Sequence, residues 1–447
     1  MLIKKICFNV KNFFRRGAYN AQKKASEYEK LSGIEKYKQD WTDRVNIVWY
    51  AYTYIPYYKE LYDKNNFHPN LLKTEADWDK VPILEKNAIR SNSEKLLFPN
   101  IDRRKLIPTT TGGSTGTPLK LYKEKSTHFE VLHWRALKWY NIFPWDNHGI
   151  VNRRVPQNTF QTLKNRLLWF PTKRCYLDAS NVTEHRIETF INEINQLKII
   201  FLSGYCGSLE QIANYVLKNH LKTPSLKLVW TTTSPLRKEI RKRMEEAFEC
   251  QVMDQYGCCE MPNIASQKRG EEFLTVNSDY VHVDIIDQNN NLIIQPYIYG
   301  DILITDLKTT VFPLIKYRLG DCSAWCNPVF SSEDGFPKLL SVQGRTTDII
   351  YFPDGGFIDG AFLTTICDSY FNVVDSYQII QNRNFDIIFK VVLKNMSDES
   401  IHKIEEICNN LKQKIQNRVK FQYEICKTIP DDRGKRRYVI SDIALNK

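Results

Sequence analysis

The sequence lacks any uninterrupted apolar run close to the roughly 18 residues that a membrane-spanning helix needs. This absence excludes an integral membrane protein built from helices. It also lacks internal repeats and low-complexity segments. The 11 cysteines are odd in number and scattered from Cys7 to Cys426, which is not the framework of a small secreted domain. We therefore expect reduced thiols in a cytoplasmic protein.

Two cysteine pairs come close together but lack the second ligand pair of a zinc finger. Cys258 and Cys259 are adjacent, and Cys322 is separated from Cys326 by three residues. Free thiols buried in the protein are the simpler interpretation of both pairs.

Acidic residues are outnumbered, since 63 lysines and arginines face 51 aspartates and glutamates and leave a net charge of +12. This charge would suit an anionic nucleotide, an anionic membrane surface or nucleic acid. A nucleic-acid-binding protein concentrates its basic residues on one element, whereas here they are scattered, so no nucleic-acid partner is expected. The apolar content of 42% is that of a globular protein with enough chain for two or three cores.

The first residues predict a basic amphipathic helix over residues 1–20. Ile3, Ile6, Val10, Phe13 and Phe14 recur at helical spacing with lysines and arginines between them. Interfacial helices have this pattern, so one interpretation is peripheral membrane contact through residues 1–16, at the inner face of the membrane. The other is a helix whose apolar face packs on the protein's own core. Charges interrupt the apolar segment that a secretory signal would need.

The pattern of apolar residues predicts two architectures along the chain. Short apolar runs alternate with helical patterns from about residue 106 to residue 342, which predicts an α/β domain. Within it we predict strands over 199–202, 226–230 and 252–253, a helix over 235–248, and a β-rich subdomain with strands over 281–286, 301–305 and 314–318. After residue 344, strands over 377–380, 385–393 and 421–427 and a helix over 399–418 predict a small α+β domain.

Residues 109–118 form a loop rich in hydroxyls and glycines, which follows a predicted strand. Glycines let a backbone approach an anion while N–H groups and hydroxyls surround it, as a phosphate requires. No Gly-Lys-Ser/Thr closes the loop, so it is neither a Walker loop nor a dinucleotide fingerprint, and a flexible linker would have a similar composition. The residues expected to bind phosphate are Thr110, Thr111, Gly112, Gly113, Ser114, Thr115, Gly116 and Thr117.

Three later segments carry groups suited to a nucleotide site. After a predicted strand, Tyr256 offers an aromatic face for a base and Glu260 a hard oxygen ligand for Mg²⁺. Asp321 follows Gly320 and is an acceptor-only group expected on a tight turn. Lys435 lies in the basic segment Arg433-Gly434-Lys435-Arg436-Arg437. Each segment also has an ordinary explanation: a surface carboxylate for Glu260, a Gly-Asp hairpin turn for Asp321, and a solvated basic turn for Lys435.

These segments, in this order and over residues 109–437, resemble the motifs of the adenylate-forming enzymes. The resemblance implies that the loop binds the phosphates of ATP, that Tyr256 stacks on adenine beside Gly257, that Glu260 holds Mg²⁺, and that Asp321 accepts hydrogen bonds from the ribose. The catalytic residues that it implies are Glu260, Arg345 of the segment Gly344-Arg345-Thr346-Thr347-Asp348, and Lys435. Lys435 would bridge the acid's carboxylate and the α-phosphate.

The resemblance also implies a division into a large ATP- and acyl-binding domain, residues 1–343, and a small mobile domain, residues 344–447. The small domain would rotate about residues 345–348 between the two half-reactions. Thr347 stands where the family usually has the first hinge carboxylate, so the sequence leaves open which residue is the hinge.

Two further segments, Ile55-Pro56-Tyr57-Tyr58 and Pro82-Ile83-Leu84-Glu85-Lys86, resemble the phenylacetate–CoA ligase branch and its capsular-polysaccharide members. This implies ATP-dependent activation of a carboxylic acid as an acyl-adenylate, followed by acyl transfer to coenzyme A. Transfer to a sugar of a glycan precursor and an inactive nucleotide-binding scaffold are the alternatives. Some members of the branch hold zinc after the glutamate motif. No zinc is expected here, because residues 265–269 and 274–277 contain neither cysteine nor histidine.

Three histidines, His128, His133 and His148, precede the glutamate motif. They could serve the site, but places in the core or on the surface are the expectation for each.

Overall fold

The structure is a computed structural model, and it describes residues 2–111, 119–153, 155–156, 159–179, 181–233, 236, 238–342, 349–354, 357–359, 363, 366–367, 370, 373–429 and 439–443. The chain divides into two units. The first holds residues 1–109 and 121–343, and the second holds residues 110–120 and 344–447.

The chain begins with five helices: α1 (Leu2–Phe14), α2 (Arg16–Glu29), α3 (Gly33–Tyr54), α4 (Pro56–Lys64) and α5 (Lys86–Asn92). Ser32 starts α3, because its side chain accepts a hydrogen bond from the Glu35 backbone N–H, and the Glu35 side chain accepts one from the Ser32 backbone N–H. Pro56 starts α4 at a position where a helix needs no N–H donor. Among the described residues, no helix is long and apolar enough to cross a membrane.

The centre of the first unit is a mixed sheet covered by helices. The strands β1 (Leu106–Thr111) and β2 (Leu119–Glu124) and the helix α6 (Glu130–Lys138) precede this sheet in the chain. The parallel part of the sheet is formed by β3 (His148–Asn152), β4 (Arg174–Asp178), β5 (Phe201–Tyr205), β6 (Leu228–Thr232) and β7 (Gln251–Tyr256). The helices among them are α7 (Thr159–Trp169), α8 (Glu184–Leu197), α9 (Cys206–Lys218) and α10 (Lys238–Phe248). Parallel neighbours need such crossovers, which is why the apolar runs alternate with amphipathic helices.

Short antiparallel strands extend this sheet and form a second one. These strands are β8 (Ala265–Gln267), β9 (Leu274–Val276), β10 (Val281–Ile286), β11 (Gly300–Asp306), β12 (Tyr317–Ser323) and β13 (Lys338–Leu339). The large sheet has the order β13-β9-β8-β7-β6-β5-β3-β4, and β10-β11-β12 form a separate antiparallel sheet. The predicted strand over 281–286 is confirmed without a shift. The strand predicted over 314–318 begins only at Tyr317, because Lys316 has φ +45° and cannot continue an extended chain.

In the described part of the second unit, a long helix packs on a small sheet. Its elements are β14 (Ile349–Tyr351), β15 (Phe357–Asp359), β16 (Val374–Gln381), β17 (Ile387–Leu393), α11 (Asp398–Lys414), β18 (Phe421–Ile425) and β19 (Val439–Ser441). Ile404, Ile407, Cys408 and Leu411 of α11 are buried in one core with residues of β16 and β17. The helix predicted over 399–418 ends earlier, because Gln416 and Asn417 have φ of 53° and 52°. The predicted fold class, an α/β domain with a small α+β domain, is confirmed.

A buried ionic cluster joins α3 to the three-stranded sheet. The ring nitrogens of His282 lie 2.9 Å from Asp40 Oδ1 and 2.9 Å from Asp284 Oδ1. Trp78 donates its indole N–H to Asp284, and Arg44 donates to Asp40 at 2.8 Å. Burial alone would lower the pKa of His282, but the two carboxylates outweigh it and raise that pKa to about 9. His282 is therefore a charged imidazolium that donates to both acids.

Candidate functional site

The site is built on the loop that follows β7. Tyr256 is the last residue of β7, at the carboxyl end of the parallel strands, where open α/β sheets bind their ligands. The loop is tight, since the Cys258 N–H donates to the Met261 carbonyl at 2.9 Å and the Ile264 N–H to the Tyr256 carbonyl at 2.9 Å. A Cβ on Gly257 would lie 2.3 Å from the Pro262 carbonyl oxygen, so this position requires glycine.

Two hydrogen bonds connect this loop to β12. The Tyr256 hydroxyl donates to Asp321 Oδ2 at 2.8 Å, and the Tyr317 hydroxyl donates to Glu260 Oε1 at 3.0 Å. Each bond joins a tyrosine of one segment to an acid of the other. The structure thus brings together three predicted site residues, Tyr256, Glu260 and Asp321, and adds Tyr317, which sequence reasoning did not assign to the site.

Asp321 does not lie on a turn, contrary to the expectation for a residue that follows Gly320. Both residues are inside β12, where the pairing with β11 shifts: Leu303 faces Arg318, but Asp301 faces Cys322. The strand therefore accommodates two extra residues, and Gly320 has φ +83°, a conformation that glycine adopts at little cost. The predicted tight turn and the alternative of a Gly-Asp hairpin turn are both wrong, because the chain bulges and continues as a strand.

The protonation states of the two tyrosines make them donors. Burial raises the pKa of Tyr256 well above its ordinary value, and the Asp321 carboxylate adds to the effect. Burial and Glu260 likewise raise the pKa of Tyr317. Both phenols keep their protons at any physiological pH, so each can donate its hydrogen bond to the neighbouring acid.

The Cys258 thiol lies within the same loop. Its sulfur accepts a hydrogen bond from the Met261 N–H at 3.4 Å. Burial raises the pKa of Cys258 well above its usual range, and Glu260 adds to the shift. The thiol is neutral and unsuited to nucleophilic attack. Cys258, Cys322 and Cys326 are half-buried free thiols, and Cys259 is exposed, so the expected burial of these pairs is wrong for Cys259.

A cavity beside Glu260 contains a lysine that the sequence did not single out. Lys123 lines it from β2, together with Glu260, Asp306 and the apolar side chains of Phe129 and Phe312. Burial lowers the pKa of Lys123, while the thiols of Cys258 and Cys259 and the acids Asp306 and Glu260 act in the opposite direction. In the sequence Lys123 is one of several lysines around β2, and no spacing rule distinguishes it. Its importance comes from the tertiary contacts.

Arg318 fixes the start of β12 from its other face. Its guanidinium donates to Glu85 at 2.9 Å and to Asp301 at 2.7 Å. The Leu84 N–H donates to the Lys316 carbonyl at 3.1 Å, and the Arg318 N–H donates to the Leu84 carbonyl at 3.1 Å. The segment around Glu85 therefore pairs with the strand that carries Tyr317 and Asp321.

The remaining predicted site residues lie outside the described part of the chain. This holds for Gly112, Gly113, Ser114, Thr115, Gly116, Thr117, Arg345 and Lys435. Thr110 and Thr111 are described only as the last backbone residues of β1.

His128, His133 and His148 do not belong to the site around Glu260. His133 is half-buried and packs edge-on against Trp230, and burial lowers its pKa to about 4. His148 stacks on Phe201 and hydrogen-bonds Ser203 at 2.7 Å, and burial lowers its pKa well below the ordinary value. His128 lies 3.2 Å from Glu130 Oε1. The expectation for each was a place in the core or on the surface, and these contacts confirm it.

Glu260 could bind Mg²⁺ only together with other ligands. No group of three acids, histidines or cysteines that could enclose a metal occurs among the described residues. Mg²⁺ commonly uses one or two carboxylates and completes its shell with water and substrate phosphates. A single Glu260 held by Tyr317 fits that mode and does not fit a cage made by the protein alone.

Comparison with known proteins agrees with this geometry. The fold matches that of 2-hydroxyisobutyryl-CoA ligase in complex with 2-HIB-AMP and CoA, with a TM-score of 0.64 over 94% of this chain and 93% of that one, at 17% identity. This likeness shows that the chain shares the fold of that ligase.

In sequence the chain is similar to Protein CapK of Staphylococcus aureus, at 26% identity over 88% of this chain and 87% of the relative. It also matches the phenylacetate-coenzyme A ligase of Escherichia coli, at 20% identity over 91% of this chain and 94% of that enzyme. Residues 350–442 match the family model of the CapK C-terminal domain. The predicted relationship to this branch of the adenylate-forming enzymes is confirmed.

Proposed function

We propose that the protein uses ATP to activate a carboxylic acid as an acyl-adenylate and then transfers the acyl group to coenzyme A. The pair of hydrogen bonds between residues 256–260 and β12 supports the proposal, because it brings an aromatic ring and two acids together, as contacts with adenine, ribose and Mg²⁺ would require. The phenylacetate-coenzyme A ligases among the relatives favour the same reaction.

In this proposal each residue has a part in the first half-reaction. Tyr256 and Gly257 contact the adenine, Asp321 accepts from the ribose, and residues 110–117 surround the phosphates. The substrate carboxylate attacks the α-phosphate and pyrophosphate leaves. Lys435 and Arg345 stabilise the charge that develops on the phosphate oxygens.

Glu260 would hold Mg²⁺, with Tyr317 keeping the carboxylate in place through its hydrogen bond. When bound, the cation neutralises charge on the phosphates and orients them for in-line attack. Lys123 lines the same cavity and supplies a second positive charge from the protein itself.

The second half-reaction is proposed to need a rearrangement. The domains would be residues 1–343 and 344–447, and rotation about residues 345–348 would withdraw Lys435 so that an acceptor can reach the mixed anhydride. A cytoplasmic location, with peripheral membrane contact through residues 1–16, completes the proposal.

A sugar acceptor is the second candidate, favoured by the similarity to CapK over most of the chain. In that case the acyl group would pass to a hydroxyl or amine of a capsule precursor instead of a thiol. An inactive nucleotide-binding scaffold is a third candidate, but it leaves the retained Glu260, Asp321, Arg345 and Lys435 without a purpose.

The test is pyrophosphate release from ATP with a panel of carboxylic acids. We expect acid-dependent release by the wild type and a loss of about a hundredfold or more in Lys435→Ala. Lys427→Ala is the matched control, since Lys427 is an exposed lysine of the same unit. Absence of acid-dependent release by the wild type, or full release by Lys435→Ala, would defeat the assignment. Coenzyme A added to an active acid then separates the acceptors: a thioester product supports the first candidate.

A further inference from the structure

Helix α1 packs on the rest of the first unit through a face that the amphipathic pattern did not predict. Phe8 packs against Trp134 and Trp145, with ring centroids 5.1 and 5.4 Å apart. On the same side Lys4 hydrogen-bonds the Asn147 side chain, and Asn12 is buried. Residues 4, 8 and 12 are spaced four apart, so they form one stripe along the helix.

The opposite stripe of α1 is apolar and faces solvent. Its side chains are between 49% and 80% exposed, although they are large and apolar. They are Leu2, Ile3, Ile6, Val10, Phe13 and Phe14. The expectation that this apolar face packs on the protein's own core is therefore wrong, because Phe8 and the polar stripe make that contact instead.

Helix α7 continues the exposed apolar surface. Lys11 of α1 donates to the carbonyls of Leu168 at 2.8 Å and Phe170 at 2.7 Å, at the end of α7, which brings the two helices together. Five large apolar side chains here are between 55% and 75% exposed: Phe160, Leu163, Leu167, Leu168 and Phe170. Single exposed apolar residues are normal in proteins, but two adjoining helices with such faces form a patch that indicates an interaction.

The charges in the segments that carry this patch are mostly positive. Residues 2–26 contain seven lysines and arginines and no acid, and residues 147–177 contain six and no acid. Few acids lie among these basic residues: Glu130 lies 2.6 Å from Arg15, and Glu27 lies 3.8 Å from Lys23. The α1–α7 surface, defined as the exposed apolar residues of these two helices with their basic neighbours, thus combines apolar side chains with an excess of positive charge.

We propose that the α1–α7 surface docks on an anionic lipid bilayer. Interfacial helices bind in this way, with apolar side chains among the acyl chains and lysines and arginines on the anionic headgroups. A second copy of the chain would bring one positive surface against another, so charge disfavours self-association through this face. The helices lie on the bilayer and do not cross it.

The experiment is co-sedimentation of the full chain with vesicles. Phosphatidylcholine vesicles are compared with vesicles of equimolar phosphatidylcholine and phosphatidylglycerol, at low and at high salt. We expect binding to the anionic vesicles at least about tenfold stronger than to the neutral ones, with a marked decrease at high salt. Phe13→Ser/Phe14→Ser and Leu163→Ser/Leu167→Ser should each reduce binding to the anionic vesicles by about tenfold or more.

The control is Ile34→Ser, which removes an apolar side chain of similar exposure, 69%, from α3 outside the surface. It should bind like the wild type. Circular dichroism checks that each variant is folded, so that weaker vesicle binding can be assigned to a loss of docking. Equal retention by neutral and anionic vesicles, or wild-type binding by both double variants, would overturn the proposal. The proposal would also be overturned if the wild type were a dimer, the double variants were monomers, and none of these proteins bound vesicles.

Discussion

The Tyr317 hydroxyl donates to Glu260 Oε1 at 3.0 Å, so one strand residue determines how the acid of the neighbouring loop is oriented. Tyr317 is fully buried at the start of β12, where Leu84 and Arg318 also hold the strand. Glu260 is therefore held in place by the fold before any ligand arrives. Preorganised charge of this kind needs no rearrangement at the moment of reaction.

Glu260→Gln tests whether that charge is used. The amide still accepts from Tyr317, so we expect the fold to persist while acid-dependent pyrophosphate release falls about a hundredfold. The Mg²⁺ concentration needed for half-maximal activity should rise as well. Tyr317→Phe keeps the Glu260 carboxylate but removes the hydrogen bond that holds it, and it should lower acid-dependent pyrophosphate release about tenfold. Unchanged activity and unchanged Mg²⁺ dependence in Glu260→Gln would exclude the proposed metal role.

Tyr256→Phe should lower the free energy of unfolding of the first unit by about 1–3 kcal/mol, because it removes the donor from a hydrogen bond to a charged group. Tyr62→Phe provides the control. The Tyr62 hydroxyl is buried and has no hydrogen-bond partner among the described residues. Its removal should be neutral or stabilising. The two midpoints of urea unfolding are compared, and equal midpoints would mean that the Tyr256 bond contributes nothing to stability.

Lys123→Met tests the cation beside Glu260. Methionine keeps most of the length and removes the charge, so we expect about a tenfold loss of pyrophosphate release, mainly through a higher KM for ATP. Lys125→Met, two residues along and exposed, should behave like the wild type. A normal KM for ATP in Lys123→Met would show that the lysine balances local charge without contacting the nucleotide.

The imidazolium of His282 makes stability depend on pH. Its folded-state pKa of about 9 lies above the ordinary 6.5, so its contribution is complete below pH 6.5 and is lost as pH rises through 9. At about 1.4 kcal/mol per tenfold change in proton affinity, the loss is on the order of 3 kcal/mol. Urea unfolding at pH 6.5 and at pH 9 measures it.

Two variants make the pH test specific. His282→Gln should be less stable than the wild type at pH 6.5 and should lose less stability on going to pH 9. His402→Gln, at a side chain that is 81% exposed, should retain the wild-type dependence. The same pH dependence in His282→Gln as in the wild type would assign the alkaline loss to other groups.

Local patterns predicted the elements of this fold well, and tertiary contacts explain where they failed. The strand over Val281–Ile286 is fully buried and could be predicted from its apolar run. The pairing of Tyr256 with Asp321 could not, since 65 residues separate them. Asp321 was expected on a turn because Gly-Asp commonly makes one. The bulge depends on β11 pairing, which no local pattern encodes.

The candidate site shows the same division. Tyr256, Gly257 and Glu260 could be predicted because they are close in sequence and carry a recognisable pattern. Tyr317 and Lys123 contribute through long-range contacts, and their residue types are common in this lysine- and tyrosine-rich chain. The docked face of α1 was predicted wrongly because Phe8 fits between Trp134 and Trp145, whose positions come from the fold.

The two extra residues in β12 make the number of residues in this stretch decide which face of the strand Asp321 occupies. Side chains alternate between the faces of a strand, so Tyr317 and Asp321 share a face because an even number of steps separates them. Deleting one residue at Leu319 or Gly320 would turn the acid towards the side of Arg318, away from Tyr256. Deleting both would restore the alternation and remove the bulge. Insertions and deletions in related chains should therefore occur there in pairs.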